Sequence, residues 1–212
     1  MNPEGKSMEK EITLETMSEE YFDVLKELGN IGAGNATTAL AQLLNCKVDM
    51  QVPQVRLLDF KELGAAIGGE ERLVAGIYLG VEGDITGHIM FFLEKGSARH
   101  LVSKLMGMEL AGEEFSEMEI SALKEIGNII TGAYLNSLAT ITNMMIYPSV
   151  PDICIDMAGA ILSVPAIEFG AIGDKILMIQ TRFLDDTDLE GYFILVPDLE
   201  SYGKILRSLG MA

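Results

Sequence analysis

The chain has 212 residues, with 15 Lys and Arg against 32 Asp and Glu, giving a net charge of −17. That balance, with the basic residues scattered singly, excludes a nucleic acid or an anionic membrane surface as the natural partner. Hydrophobic residues make up 49% of the sequence, enough for a substantial core, and no run approaches the ~18 apolar residues of a spanning helix. The opening Met1–Ser7 has no apolar stretch, so no signal peptide or membrane insertion is expected and a cytoplasmic location is.

In chain order, Ser18-Glu19-Glu20 opens a long helix predicted over 18–44, with Leu25, Gly29, Gly32, Ala36 and Leu40 on one apolar face. Strands are expected over 47–57, 73–80 and 88–93. The last two are joined by an acidic, Gly-bearing turn at 81–84 that reads as a hairpin. A short helix follows from Ser97 to Leu105. Ser116 and Glu119 form a capping box that opens a second long helix, 116–142, with Leu123, Gly127, Ile130, Tyr134 and Leu138 on its apolar face. Strands are then expected over 149–156, 175–183 and 191–196, with a turn at 185–188, and a last helix over 201–209.

The second set of elements repeats the first. Leu25 to Gly34 reads LKELGNIGAG and Leu123 to Gly132 reads LKEIGNIITG, with seven of ten positions identical at an offset of 98. Gly87-His88-Ile89 answers Gly191-Tyr192-Phe193 at an offset of 104, which places six extra residues in the second copy around 170–175. The expected fold class is α+β, a pseudo-twofold duplication of a helix–strand–hairpin–helix unit. The two copies share a largely antiparallel sheet that carries two long surface helices. The copies span 18–110 and 111–212, as halves of one compact domain.

A polar stripe survives in both copies. Asp23, Glu27, Asn30 and Gly34 follow helical steps of four, three and four, as do Ser121, Glu125, Asn128 and Gly132. Asn is a poor helix-interior residue because its amide competes for the backbone. Its retention one turn after a Glu, twice, points to selection for something other than helix stability. The alternative is a pair of Asn residues bonded across the pseudo-twofold interface, which would require burying both Glu side chains.

These residues resemble the CheC-type chemotaxis phosphatases. The family pattern is Asp or Ser, three residues, Glu, two residues, Asn, and a Pro some twenty residues on. Asp23, Glu27, Asn30 and Pro53 match it, and so do Ser121, Glu125, Asn128 and Pro151. The resemblance implies a phosphatase acting on the aspartyl-phosphate of the response regulator CheY. It makes Asn30 and Asn128 the water-orienting residues, and Glu27 and Glu125 the contacts to the regulator's active-site lysine. It further implies Mg²⁺ held by the regulator, no cofactor of the chain's own, and CheD as a second partner. A different reading is a non-catalytic CheY- or CheD-binding module related to flagellar switch proteins, which lack the Glu–Asn pairs.

Other chemistries find little support. Cys46 and Cys154 are expected as small buried hydrophobes, and His88 and His100 lack metal-ligand spacing. Gly-Asn-Ile-Gly-Ala-Gly at 29–34 follows no strand and leads to no Gly-Lys-Ser/Thr, so it is not a nucleotide loop. Asp186 begins a calcium-like run whose twelfth position is Pro197 rather than Glu, and it reads as a hairpin turn.

Overall fold

The computed structural model describes residues 19–51, 53–169, 175–184 and 188–210. The first half comprises α1 (Glu19–Leu44), β1 (Asp49–Met50), β2 (Gln54–Asp59), α2 (Phe60–Ala66), β3 (Leu73–Gly83), β4 (Gly87–Glu94) and α3 (Lys95–Met106). The second runs in the same order: α4 (Glu117–Thr142), β5 (Ile146–Pro148), β6 (Asp152–Met157), α5 (Ala158–Phe169), β7 (Lys175–Leu184), β8 (Asp188–Pro197) and α6 (Leu199–Ser208). Ser116 caps α4 as its sequence proposes, its backbone N–H donating to Glu119 Oε2 at 2.6 Å.

All eight strands form one antiparallel sheet, ordered β1-β7-β8-β4-β3-β5, with β2 on β7 and β6 on β3. The sheet is interleaved: the entry strands of each half pair with the hairpin of the other. Its centre is the β4–β8 ladder, built from Gly87↔Pro197 to Leu93↔Gly191.

The ladder registers correct the sequence alignment of the two copies. Gln54↔Gln180 and Asp152↔Tyr78 are equivalent pairs if β2 and β6 differ by 98 and β3 and β7 by 102. The hairpin ladders then require 102 for β4 and β8 as well, so Gly191 stands opposite Ile89 rather than Gly87 in the comparison. The offset reaches 104 only at α3 and α6. Of the six extra residues, four therefore precede β7 and two, Pro197 and Asp198, lie at the junction of β8 and α6; positions 170–174 lie outside the described residues.

One face of the sheet carries α1, α4, α3 and α6 over a core in which Phe91, Phe183 and Phe193 are fully buried. The other face is covered by α2 and α5, with Leu63, Ile67 and Leu162 on Met90, Phe92, Met178 and Ile194. Neither α2 nor α5 is among the helices expected from sequence. The α2 signal is Asp59 with Glu62 three residues on, whose carboxylate accepts from the Asp59 backbone N–H at 2.9 Å. Gly159 and Pro165 count against a helix, yet α5 runs through both. The expected first strand of the first copy is divided between Met50 and Gln54, whereas that of the second begins only at Asp152, with the separate β5 ahead of the expected range; Pro53 and Pro151, just before β2 and β6, withhold a ladder N–H. The first hairpin turn lies at 84–86 because β3 runs on to Gly83, while 185–187 of the second lie outside the described residues.

Burial of the cysteines also departs from expectation. Cys46 is only half-buried and Cys154 is exposed. Cys154 lies on β6, which has β3 as its ladder partner and so stands at the sheet edge.

Candidate functional site

Gly29 and Gly127 fix how the stripes are presented. A Cβ on Gly29 would lie 2.9 Å from Val55 Cγ2 and 3.4 Å from Ile179 Cδ1; one on Gly127 would lie 2.4 Å from Ile77 Cδ1. Ile179 and Ile77 are equivalent in the ladders, so both helices seat the same glycine on the same spot of the sheet. With α-helical geometry turning about 100° per residue, the following Asn lies about 100° around from the sheet and the Glu two residues earlier about 160°. The Asn thus sits at the shoulder of the helix and the Glu on its crest. Burial agrees: Glu27 and Glu125 are exposed, whereas Asn30 and Asn128 are half-buried. The Gly–Asn dipeptide in both copies is the sequence signal for this arrangement.

The two stripes do not converge. The α4-facing side of α1 is marked by Gly32 against the Tyr134 ring and by Asn35 Nδ2 donating to Ser137 Oγ at 2.7 Å. On the helical wheel both positions lie on the opposite side of the Gly29 line from Glu27 and Asn30. The same holds for Ile130 and Ser137 relative to Glu125 and Asn128. Each Glu–Asn pair therefore occupies the outer flank of its helix, and the pairs stand apart as two separate candidate sites. Asn30 and Asn128 do not bond across the pseudo-twofold interface.

The sites differ in detail. Asn30 Oδ1 is buried with no hydrogen-bond partner, so one end of its carboxamide is closed off whichever way the amide is turned. Met50 Cε approaches the Cβ position of Gly34 to 3.9 Å, while the equivalent Gly132 faces open space. Pro53 is buried and Pro151 half-buried. Asp23, one turn before Glu27, pairs with Lys26 at 2.9 Å, and Lys26 also lies 4.6 Å from the Phe22 ring centroid. Ser121 replaces that carboxylate with an exposed hydroxyl.

The model of the CheC-like family matches residues 22–56 and 118–155, one segment per half, each running from the polar stripe through its downstream proline. The CheY-P phosphatase CheC of Bacillus subtilis (strain 168) is 40% identical over 202 residues, covering 92% of this chain and 96% of the relative. The chain belongs to the CheC-like family. Among solved structures, the X-ray crystal structure of Thermotoga maritima FliY superposes with a TM-score of 0.74 at 20% identity, covering 92% of this chain and 99% of the other. The FliM middle domain from H. pylori gives 0.67 at 12% identity, covering 91% and 99%. This chain thus shares its architecture with those two structures, and an architecture alone does not set chemistry. Among the described residues, no helix is long and apolar enough to cross a membrane, and no group of three or more His, Cys, Asp or Glu is placed to hold a metal ion.

Proposed function

We propose that this protein is a CheY-P phosphatase of bacterial or archaeal chemotaxis. The observation that carries this reading is the near full-length relationship, at 40% identity, to the CheY-P phosphatase CheC of Bacillus subtilis. In the reaction, water attacks phosphorus in line, the bond to the aspartyl oxygen breaks, and inorganic phosphate and the free carboxylate leave. The regulator brings the phosphoryl group, its Mg²⁺ and its lysine, so the chain needs no cofactor of its own. What the helix adds is position.

In this reading Glu27 or Glu125, on the helix crest, meets the regulator's lysine through a charge-assisted hydrogen bond. Asn30 or Asn128, at the shoulder, reaches in to orient the water; the Asn128 carboxamide can both accept and donate, whereas Asn30 offers the one end that is not closed off. The exposed Glu and half-buried Asn suit that division: a docking contact must be reachable, and a positioning group gains from restricted rotamers. The two stripes make two sites, one on each half of the duplicated chain, taken as 18–110 and 111–212. On the family resemblance we also assign CheD as a second partner and the cytoplasm as the location.

The deciding experiment follows the decay of phosphorylated CheY with and without the purified protein. Acceleration that saturates with CheY is expected. Decay at the intrinsic rate across all protein concentrations would overturn the reading.

A further inference from the structure

The sheet face opposite the Glu–Asn stripes is built differently in its two halves. Equivalent ladder rows read Arg56–Met178–Ile194 across β2, β7 and β8, and Cys154–Gly76–Phe92 across β6, β3 and β4. In the first row Met178 is fully buried, and Arg56 Nη2 lies 3.4 Å from Gln180 Oε1. Gln180 in turn donates to Glu190 Oε1 at 2.8 Å. A guanidinium on an aliphatic stem, supplied by the chain itself, thus covers this side of the sheet.

The second row lacks both fillers. Gly76 has no side chain, Cys154 is short and exposed, and a cavity of about 300 Å³ opens between β6, β3, β4 and α5. Its walls include Tyr78, Met90, Phe92 and Ile161, and the carboxylates of Asp152 and Asp156 stand at its rim. None of the described lining side chains is basic.

We propose that this cavity binds a small organic cation with an apolar body, a guanidinium or amidinium on an aromatic or aliphatic stem. The ligand takes the place that Arg56 fills in the other half. The apolar walls remove the stem from water, and the rim carboxylates accept from the cationic N–H groups. The net charge of −17 raises the local concentration of such a ligand. The site lies on the opposite face of the sheet from α1 and α4.

Benzamidine is the probe. Modification of the exposed Cys154 by iodoacetamide should slow several-fold and saturably as benzamidine is added, while Cys46, which packs in the other core cluster, reacts at an unchanged rate. Benzyl alcohol and benzoate, which match the body but lack the cation, should not protect. Cys154→Arg, followed by ligand-observed NMR, should abolish benzamidine binding by supplying the missing side chain. Asp152→Asn with Asp156→Asn should weaken it about tenfold without touching the walls. Equal protection by benzyl alcohol, unsaturable protection, or unchanged binding in the folded Cys154→Arg protein would each overturn the proposal.

Discussion

The ring of Tyr134 occupies the space that a Cβ on Gly32 would need, with Cδ2 and Cε2 both 2.4 Å from that position. The ring is buried and stacks on Phe193 with centroids 5.5 Å apart, so it has nowhere to retreat. At an offset of ninety-eight, Gly32 corresponds to Ile130 and Tyr134 to Ala36, and Ile130 and Ala36 are fully buried. At both equivalent positions the small residue belongs to α1 and the large one to α4. Gly32→Ala should therefore destabilise. Alanine's better helix propensity gains ~1 kcal/mol, but overpacking a buried ring costs ~1–3 kcal/mol. A drop of a few degrees in the thermal midpoint is expected by circular dichroism; a raised midpoint would show that the helices can part.

Replacing both amides, Asn30→Ala with Asn128→Ala, should abolish the acceleration of CheY-P decay while the fold persists. Stability should rise by ~1 kcal/mol, because alanine is the better helix former and the unpartnered Asn30 Oδ1 disappears. Parental turnover by the double variant would refute the water-orienting role.

Each single Asn variant should keep part of the activity, and the two losses should sum to the whole. The Asn128→Ala loss should be the larger, since Asn30 has one end of its amide closed off and Met50 beside its stripe. Decay assays on the two single variants decide this. Complete loss from either one alone would rule out two independent sites.

Glu27→Ala with Glu125→Ala should act on docking. Removing a charge-assisted contact worth ~1.5–3 kcal/mol raises the half-saturating CheY concentration by roughly 10- to 100-fold. The Asn variants should instead lower the maximal rate. Identical kinetic signatures for the two pairs would argue against separate roles.

Asp198 links stability to pH at the start of α6. Burial raises its pKa, but hydrogen bonds from Thr86 and Ser201 prevail and hold it below the usual carboxylate range. A lowered folded value means that its contribution is complete above the unfolded pKa of ~3.9 and is lost as pH falls through the folded one. Asp198→Asn keeps a capping oxygen without the titration. The parent's urea midpoint should exceed the variant's at pH 7, and the gap should narrow as the pH is lowered beneath the unfolded value of ~3.9. A gap independent of pH would assign the difference to something other than the carboxylate.

The long helices were legible because each carries caps, apolar periodicity and a repeated decapeptide, signals that act within one element. The Glu–Asn stripes were legible for the same reason. The short helices α2 and α5 were not. Their start signals amount to a few residues, Pro165 argues against α5, and what holds them in place is the second sheet face, visible only once the sheet exists. The half-burial of Asn30 and Asn128 follows from where Gly29 and Gly127 sit on the sheet, a contact between residues far apart in sequence. The offset between the copies at the hairpin reads as 104 from the likeness of Gly87 to Gly191, because the strand pairing that sets it at 102 joins residues the sequence alone does not bring together.

The interleaved sheet also dictates an order of events during synthesis. Among the described residues β2 has its ladder on β7, so a strand ending at Asp59 must wait for residues beginning at Lys175. Until then the emerging first half presents β2 without a partner, beside a β4 edge that waits in turn for β8. Such distant pairings slow folding and lengthen the exposure of open strand edges. Truncation before β7 would leave β2 and β4 open to pairing with other chains, and a protein released early should aggregate rather than survive as a working half.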